Sequence, residues 1–163
     1  MDKEVTEKYI AQSEKKLRYI SGMIKKNGRK ILNNYPITPS QFIALQWITE
    51  EDDITIGQLS KKIGLAFSTT TDLVDRMEKN KLIERARDSQ DRRVVRIHAL
   101  DKGKMVIKEV IKKRQQYLGD VLQTFSREQN EQLNDLLHLL YEQMQIVDNR
   151  SNARQTDEQR SSD

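Results

Sequence analysis

The sequence is poor in several residue types, and each shortage excludes a class of structure or site. Its 163 residues contain no cysteine, which excludes disulfides, thiolate metal sites and a cysteine redox switch. Two prolines and six glycines argue against a turn-rich all-β fold. With only His98 and His138 to supply imidazole, the residues predict no metal site and no cofactor.

Long apolar runs are also missing. No stretch of about 18 uncharged apolar residues exists, and the opening MDKEVTEKY lacks the apolar segment of a signal peptide. We therefore expect a soluble, cytoplasmic protein. The chain also contains no Ser/His/Asp set, no glycine-rich phosphate loop and no metal-ligand spacing, so we do not expect an enzyme.

What is present is a charge-rich helical composition, with 36% hydrophobic and 33% charged residues. The net charge of +4 conceals an uneven distribution, because residues 1–34 sum to +5 and residues 119–148 to −5. Such asymmetry is compatible with a polyanionic partner, although charge runs are more often solvated helix faces.

Apolar spacing predicts helices through the first half of the chain. Leu17, Ile20, Ile24 and Ile31 form a helical stripe within 5–35, and Pro36 ends that helix. Capping signals at Thr38 and Thr55 predict the next two helices, the second following a minimal strand at 54–56 and stopping at Gly64. Another helix is predicted over 68–80.

The period changes from helical to alternating at Leu82. Residues 82–87 and 93–100 read as two strands around a short polar loop, which predicts a hairpin. Two long helices follow, about 101–125 and from the capping sequence at Ser126 to Asp148. This order is that of a winged helix-turn-helix, in which the second helix of the pair enters the major groove and the hairpin forms the wing.

The residues at this point resemble the MarR (multiple antibiotic resistance regulator) family of bacterial transcriptional regulators. The resemblance is carried by ITPSQFIALQWI at 37–48, by LVDRMEKNKLIERARDSQDRR at 73–93, and by the Leu-Asp-x-Gly turn at 100–103. It implies an obligate homodimer and a short palindromic operator. It further implies repression that is relieved by a small phenolic or other aromatic ligand.

The expected fold is therefore mainly α with a small β-hairpin wing, a winged helix-turn-helix domain flanked by N- and C-terminal dimerisation helices. Residues 1–35 form the N-terminal dimerisation helix and 36–100 the DNA-binding domain. Residues 101–148 form the C-terminal dimerisation helices. The tail at 149–163 has one alanine as its only apolar residue and is expected to be disordered.

The helix over 68–80 is the expected recognition helix. Its core face holds Thr70, Leu73, Val74 and Met77, and the candidate DNA contacts are Ser68, Thr69, Thr71, Asp72 and Arg76. Asp72 departs from the family, which commonly has a basic residue there. Either the affinity comes from elsewhere, or Asp72 discriminates between sequences by accepting from cytosine N4. A second departure is Lys81, where the family usually has a glycine that ends the recognition helix. We expect Asn80 to adopt the left-handed conformation instead.

The wing is the expected electrostatic contributor, because residues 85–96 sum to +3. Its candidate contacts are Arg85, Asp91, Arg92 and Arg93. The family's Asp-x-Arg element implies that Asp91 braces Arg93 while Arg92 probes the minor groove, where the narrow A·T-rich groove attracts arginine. The competing interpretation is a solvated hairpin tip whose salt bridges contribute little.

Further candidates lie outside these two elements. Candidate contacts to the DNA backbone are Ser40, Gln41, Lys61 and Lys62, although lysines on short helices are often merely solvated. A ligand pocket between the dimer region and the winged domain has as candidate linings Tyr19, Met23, Phe42, Trp47 and Tyr117, although such residues usually belong to a core.

The function expected from these features is that of a dimeric DNA-binding transcriptional regulator, with double-stranded DNA, a second copy and a small-molecule effector as partners. The alternative is a winged-helix protein-interaction module without DNA binding, for which acidic Asp72 and Asp75 are the best support. Salt dependence of duplex binding discriminates between the two.

Overall fold

The computed structural model describes the backbone of residues 3–160 and the side chains of residues 6–150. The chain divides into two compact units, residues 1–117 and residues 118–163. The elements follow in this order: α1 (Lys3–Leu32), α2 (Pro39–Glu51), β1 (Ile54–Thr55), α3 (Ile56–Ile63), α4 (Phe67–Lys79), β2 (Ile83–Arg87), β3 (Val95–Ala99), α5 (Asp101–Leu122) and α6 (Arg127–Arg160). The predicted fold, mainly helical with a small sheet, is confirmed.

Local signals in the sequence account for the start of α2 and for both ends of α3. At the start of α2, the Gln41 amide donates to Thr38 Oγ1 at 3.2 Å and the Thr38 amide donates to Gln41 Oε1 at 3.0 Å. Thr55 and Gln58 form the same reciprocal cap on α3. Gly64 ends α3 with a φ of 66°, a left-handed conformation that glycine adopts without steric cost.

The sheet has three antiparallel strands in the order β1-β3-β2. Ile54 pairs with Ile97, and the β2–β3 hairpin runs from the pair Ile83–Ala99 to the pair Arg87–Val95. Minimal β1 thus adds a third strand to the hairpin and attaches it to the helices that precede it.

The core of the first unit lies where α2, α3, α4 and α5 meet the sheet. Its fully buried side chains include Leu45, Leu59, Met77, Ile97 and Val110. Thr70 is also fully buried, and its hydroxyl is satisfied by donation to the Ala66 carbonyl at 3.0 Å. The core holds α4 by one face and leaves its opposite face exposed.

The left-handed residue after α4 is Lys81, not Asn80 as expected. Lys81 has a φ of 57°, whereas Asn80 has a φ of −83°. The Leu82 amide donates to the Met77 carbonyl at 3.0 Å and the Lys81 amide to the Glu78 carbonyl at 2.9 Å, which is the Schellman pattern with its left-handed residue at position 81.

Other element bounds also differ from the sequence-based expectation, most clearly at the start of α4 and the end of α6. Helix α4 begins at Phe67 rather than Ser68. Helix α6 continues to Arg160, whereas disorder was expected over 149–163. Residues 149–160 contain neither proline nor glycine and include the helix formers Ala, Arg, Gln and Glu, so a helix that is already nucleated can extend through them. Residues 161–163 lie outside the described part.

In the second unit, α6 exposes large apolar side chains between residues 136 and 147. Leu136, Tyr141 and Val147 each leave more than half of their surface accessible. Over residues 3–160, no helix combines the length and the apolar character needed to cross a membrane.

Candidate nucleic-acid interface

Helices α3 and α4, joined by the turn at 64–66, form the helix-turn-helix of the first unit. The core face of α4 is buried through Thr70, Val74 and Met77. On the exposed side lie four of the five predicted recognition residues, Ser68, Thr69, Asp72 and Arg76. The fifth, Thr71, is half-buried, and its hydroxyl donates to the Phe67 carbonyl at 3.0 Å.

A single carboxylate organises the hairpin tip between β2 and β3. Asp88 Oδ1 accepts from the amides of Gln90 at 2.7 Å and Asp91 at 3.0 Å, and Oδ2 accepts from Arg96 Nε at 2.7 Å. The backbone donors of Asp91 and Gln90, together with Arg96, lower the pKa of Asp88 from 3.8 to about 2. The tip is therefore a shaped turn rather than an unstructured loop.

The Asp-x-Arg element lies within this turn. Arg93 donates to both oxygens of Asp91, through Nε at 3.1 Å and through a terminal nitrogen at 3.3 Å, and this arginine lowers the pKa of Asp91. Arg92, between them, is exposed and has no hydrogen-bond or ion-pair partner among the described side chains. Asp91 and Arg93 therefore pair with each other, and the side chain of Arg92 is left free of them.

Arg85, a predicted wing contact, forms its ion pairs with carboxylates of the protein itself. Its guanidinium pairs with Asp75 of α4, and its Nε lies 3.7 Å from Glu78 Oε2. The Arg85 amide also donates to Glu78 Oε1 at 3.0 Å. Arg85 therefore joins β2 to α4 and fixes the wing relative to that helix.

The predicted contacts to the DNA backbone also divide into exposed side chains and side chains that already have a partner within the protein. Ser40 and Lys61 are exposed. Gln41 is buried and its side chain caps α2, so it does not reach the surface. Lys62 pairs with Glu51 and lies 4.5 Å from the centre of the Trp47 ring.

A crevice of about 310 Å³ opens beside Phe42. It is bounded by α1, the start of α2 and α5, and its lining combines apolar side chains with three cations: Lys25, Arg29, Leu32, Phe42, Ile43, Val110 and Arg114. The Arg114 guanidinium lies 5.4 Å from the centre of the Phe42 ring. Of the five predicted pocket residues only Phe42 lines this crevice, and Tyr19, Met23, Trp47 and Tyr117 do not.

One exposed residue near α4 was missed by the sequence-based reasoning. Phe67, the first residue of α4, leaves 60% of its surface accessible, and Leu65 in the preceding turn leaves 37%. The sequence predicts the helix start at Ser68, which places Phe67 in the turn before the helix, so Phe67 is not among the predicted DNA contacts. The sequence signal is an aromatic residue directly before four consecutive hydroxyl residues, 68–71.

Comparison with known proteins gives this arrangement a family. Residues 37–95 match the MarR family model. The uncharacterized HTH-type transcriptional regulator YsmB of Bacillus subtilis is 57% identical over 121 residues, which cover 74% of this chain and 83% of that protein.

Solved structures agree. A MarR family protein from Bacillus stearothermophilus superposes with a TM-score of 0.82 at 53% identity, over 85% of this chain and 97% of that one. FabT of Streptococcus pneumoniae, solved in complex with DNA, matches with a TM-score of 0.70 over 85% of this chain and 99% of that one, and at 22% identity this is a likeness of fold alone. From the family model and the close relatives together, the chain belongs to the MarR family of transcriptional regulators.

Proposed function

We propose that this protein is a homodimeric, sequence-specific DNA-binding regulator that represses a palindromic operator and is released from it by a small aromatic ligand. The observation that carries the proposal is the attachment of the wing to α4 through Arg85, Asp75 and Glu78. Because these ion pairs hold two exposed probes in one geometry, helix and wing engage a duplex together.

The α4 probe offers neutral hydrogen-bonding groups. Ser68 and Thr69 expose their hydroxyls in the first turn, where helix amides lack intrahelical partners and favour an anion. Exposed Arg76 supplies a cation about two turns further along the helix. Such a helix suits the major groove, with base edges read near its N-terminus.

The wing probe is Arg92. Its neighbours Asp91 and Arg93 neutralise each other, so the charge of Arg92 is the one directed outward at the tip. An arginine at the end of a rigid turn suits the narrow minor groove, whose negative potential is strongest in A·T-rich sequence.

The aromatic-ligand part of the proposal is supported by the crevice beside Phe42. Its volume of about 310 Å³ falls at the small end of ligand pockets. Its apolar lining suits an aromatic ring, and Lys25, Arg29 and Arg114 suit a carboxylate or phenolate on that ring. We therefore expect aromatic acids to weaken DNA binding, and Arg114→Gln to lower their effect without changing the affinity for DNA in their absence.

The central test is selection of bound duplexes from a random pool, followed by a salt titration on the selected sequence. We expect a consensus with twofold symmetry, and an affinity that falls by orders of magnitude between about 50 and 200 mM salt. Binding that is absent, or indifferent to salt, contradicts the proposal and favours a protein-interaction module.

Arg92→Ala tests the wing separately. Removing one minor-groove arginine should weaken operator binding about tenfold or more, with an unchanged melting temperature. Ser89→Ala, at an exposed position in the same loop, is the matched control and should bind as the parent does. Equal affinity of Arg92→Ala and the parent protein would show that the wing does not contact DNA.

A further inference from the structure

Phe67 is the most exposed large apolar side chain between α2 and β3, with 60% of its surface accessible. Ile43, at 48%, is the next and lines the crevice beside Phe42. Phe67 instead stands at the first position of α4, at the end of the helix that carries Ser68 and Thr69.

Stability of the fold does not explain this ring. The residue before it, Ala66, occupies the N-cap of α4 and forms no side-chain hydrogen bond there, although Ser, Thr or Asp would cap the helix better. Phe67 itself is absent from the buried core. An exposed aromatic ring at a helix start without a side-chain cap adds little to the stability of the isolated protein, and its surface is available for a contact made on binding.

The charges around the ring limit what that contact can be. Exposed Asp72 adds a carboxylate one turn along α4, and the cations Arg76 and Lys79 lie only in its second half. The first turn of α4 therefore presents hydroxyls and an aromatic ring rather than positive charge. No cationic side chain of this turn pairs with a phosphate, and the ring itself needs an apolar group on the DNA.

We propose that Phe67 reads thymine, packing its ring against the C5 methyl group in the major groove. This inference rests on the proposed DNA-binding function. Thymine is the base that presents a methyl group in that groove, and apolar side chains contact it there. The N-terminal residues of the second helix in a helix-turn-helix are those that reach base edges. Phe67 is thus a specificity-determining residue, next to the hydroxyls of Ser68 and Thr69.

The test removes the methyl group from the DNA and the ring from the protein. Each thymine of the selected consensus is replaced in turn by deoxyuridine in one half-site, which deletes the methyl and keeps every hydrogen-bonding group. The parent protein should lose affinity about three- to tenfold at one thymine. Phe67→Ala should bind the thymine duplex more weakly by a similar factor and should not distinguish the two duplexes.

Leu65→Ala is the matched control, because it removes an exposed apolar side chain from the turn before α4 and keeps the ring. It should retain the full preference for thymine over deoxyuridine. Melting temperature and oligomeric state, measured on every variant, should be unchanged by Phe67→Ala since the ring is outside the core.

Three results overturn the inference. One is a parent protein that binds every deoxyuridine duplex as tightly as the thymine duplex, and another is an equal loss in the parent and in Phe67→Ala. A third is a change of oligomeric state in Phe67→Ala, which would assign the ring to a protein contact. With any of these three results, the proposed DNA-binding function still holds if the protein binds the consensus in a salt-dependent way. A protein that binds no duplex contradicts both the thymine inference and the proposed DNA-binding function.

Discussion

Lys81 adopts the left-handed backbone conformation, which glycine adopts more easily than lysine. Its φ of 57° completes the Schellman turn that brings the chain from α4 into β2, and the next residue, Leu82, is buried. A side chain in the left-handed region costs about 1–2 kcal/mol, and glycine avoids this at some cost in unfolded-chain entropy. The burial of Leu82 therefore stabilises the turn despite the strain at Lys81.

Lys81→Gly should raise the free energy of unfolding by about 0.5–1 kcal/mol, because the strain is relieved and the buried side chains are unchanged. Urea denaturation monitored by circular dichroism measures the difference. Gly64→Ala is the converse change at a φ of 66° and should lower the same quantity by about 1 kcal/mol. Equal stabilities for Lys81→Gly and the parent would mean that the left-handed conformation carries no strain.

Asp88 links the wing to acid stability. Its pKa in the folded protein is about 2, against an ordinary value of 3.8, so the folded state prefers the ionised form. The resulting stabilisation is fully present above pH 4 and is lost as the pH falls towards 2, because the unfolded chain takes up the proton first.

Asp88→Asn keeps an acceptor for the two backbone amides and removes the charge that pairs with Arg96. It should therefore be less stable than the parent at pH 5, and the difference should shrink as the pH falls from about 4 to 2. Urea unfolding at several pH values measures this. A difference between Asp88→Asn and the parent that stays constant with pH contradicts the linkage.

At the scale of elements, the entry into α5 depends on a glycine. A Cβ at Gly103 would overlap the Leu82 carbonyl oxygen and lie 3.1 Å from Leu45 Cδ1. The same carbonyl accepts from the Leu100 amide at 3.0 Å, so it cannot shift without weakening this hydrogen bond between the ends of β2 and β3. The close approach explains the Leu-Asp-x-Gly turn in physical terms.

Gly103→Ala should lower the free energy of unfolding by about 1–3 kcal/mol, since overpacking forces the backbone around Leu82 to shift. Gly57→Ala in α3 is the matched control, because nothing lies within 4 Å of its Cβ position and alanine is the better helix former by up to about 1 kcal/mol. Thermal unfolding of the two variants should move in opposite directions. A neutral Gly103→Ala would show that the α5 entry accommodates a methyl group.

The elements that sequence could predict are those with local signals. The capping box at Thr38, the cap at Thr55 and the left-handed Gly64 involve residues three to four positions apart, and they lie as predicted. The left-handed residue after α4 is Lys81 and not the predicted Asn80, and the residue that follows it, Leu82, is held in the core by contacts distant in sequence.

The site divides along the same line. The pairing of Asp91 with Arg93 spans two positions and is readable from the sequence. Two other ion pairs depend on how β2, α2, α3 and α4 pack. Arg85 pairs with Asp75, ten positions away, and Lys62 pairs with Glu51. Sequence supplied the cations of the interface, but only tertiary structure shows which of them are already paired.

At the scale of the whole molecule, two long helices leave apolar surface uncovered. α1 exposes Tyr9, Ile10, Leu17 and Ile20, and α6 exposes Leu136, Leu137, Leu140, Tyr141 and Met144. Contiguous apolar faces of this kind mark protein–protein contact. A second copy of the chain is the occupant that the proposed function requires, because a palindrome is read by two symmetric probes.

The double variant Leu140→Asp/Met144→Asp places charges in the α6 face and should convert the proposed dimer to a monomer, because unpaired carboxylates are costly to bury. Sedimentation velocity at micromolar concentration measures this, and affinity for the palindrome should fall with the dimer, leaving weak binding to a half-site. Gln132→Asp/Gln143→Asp adds the same charge at polar positions of the same helix and should leave the dimer intact. A parent protein that sediments as a monomer, or a Leu140→Asp/Met144→Asp variant that still dimerises, would mean that this face of α6 is not where two subunits meet.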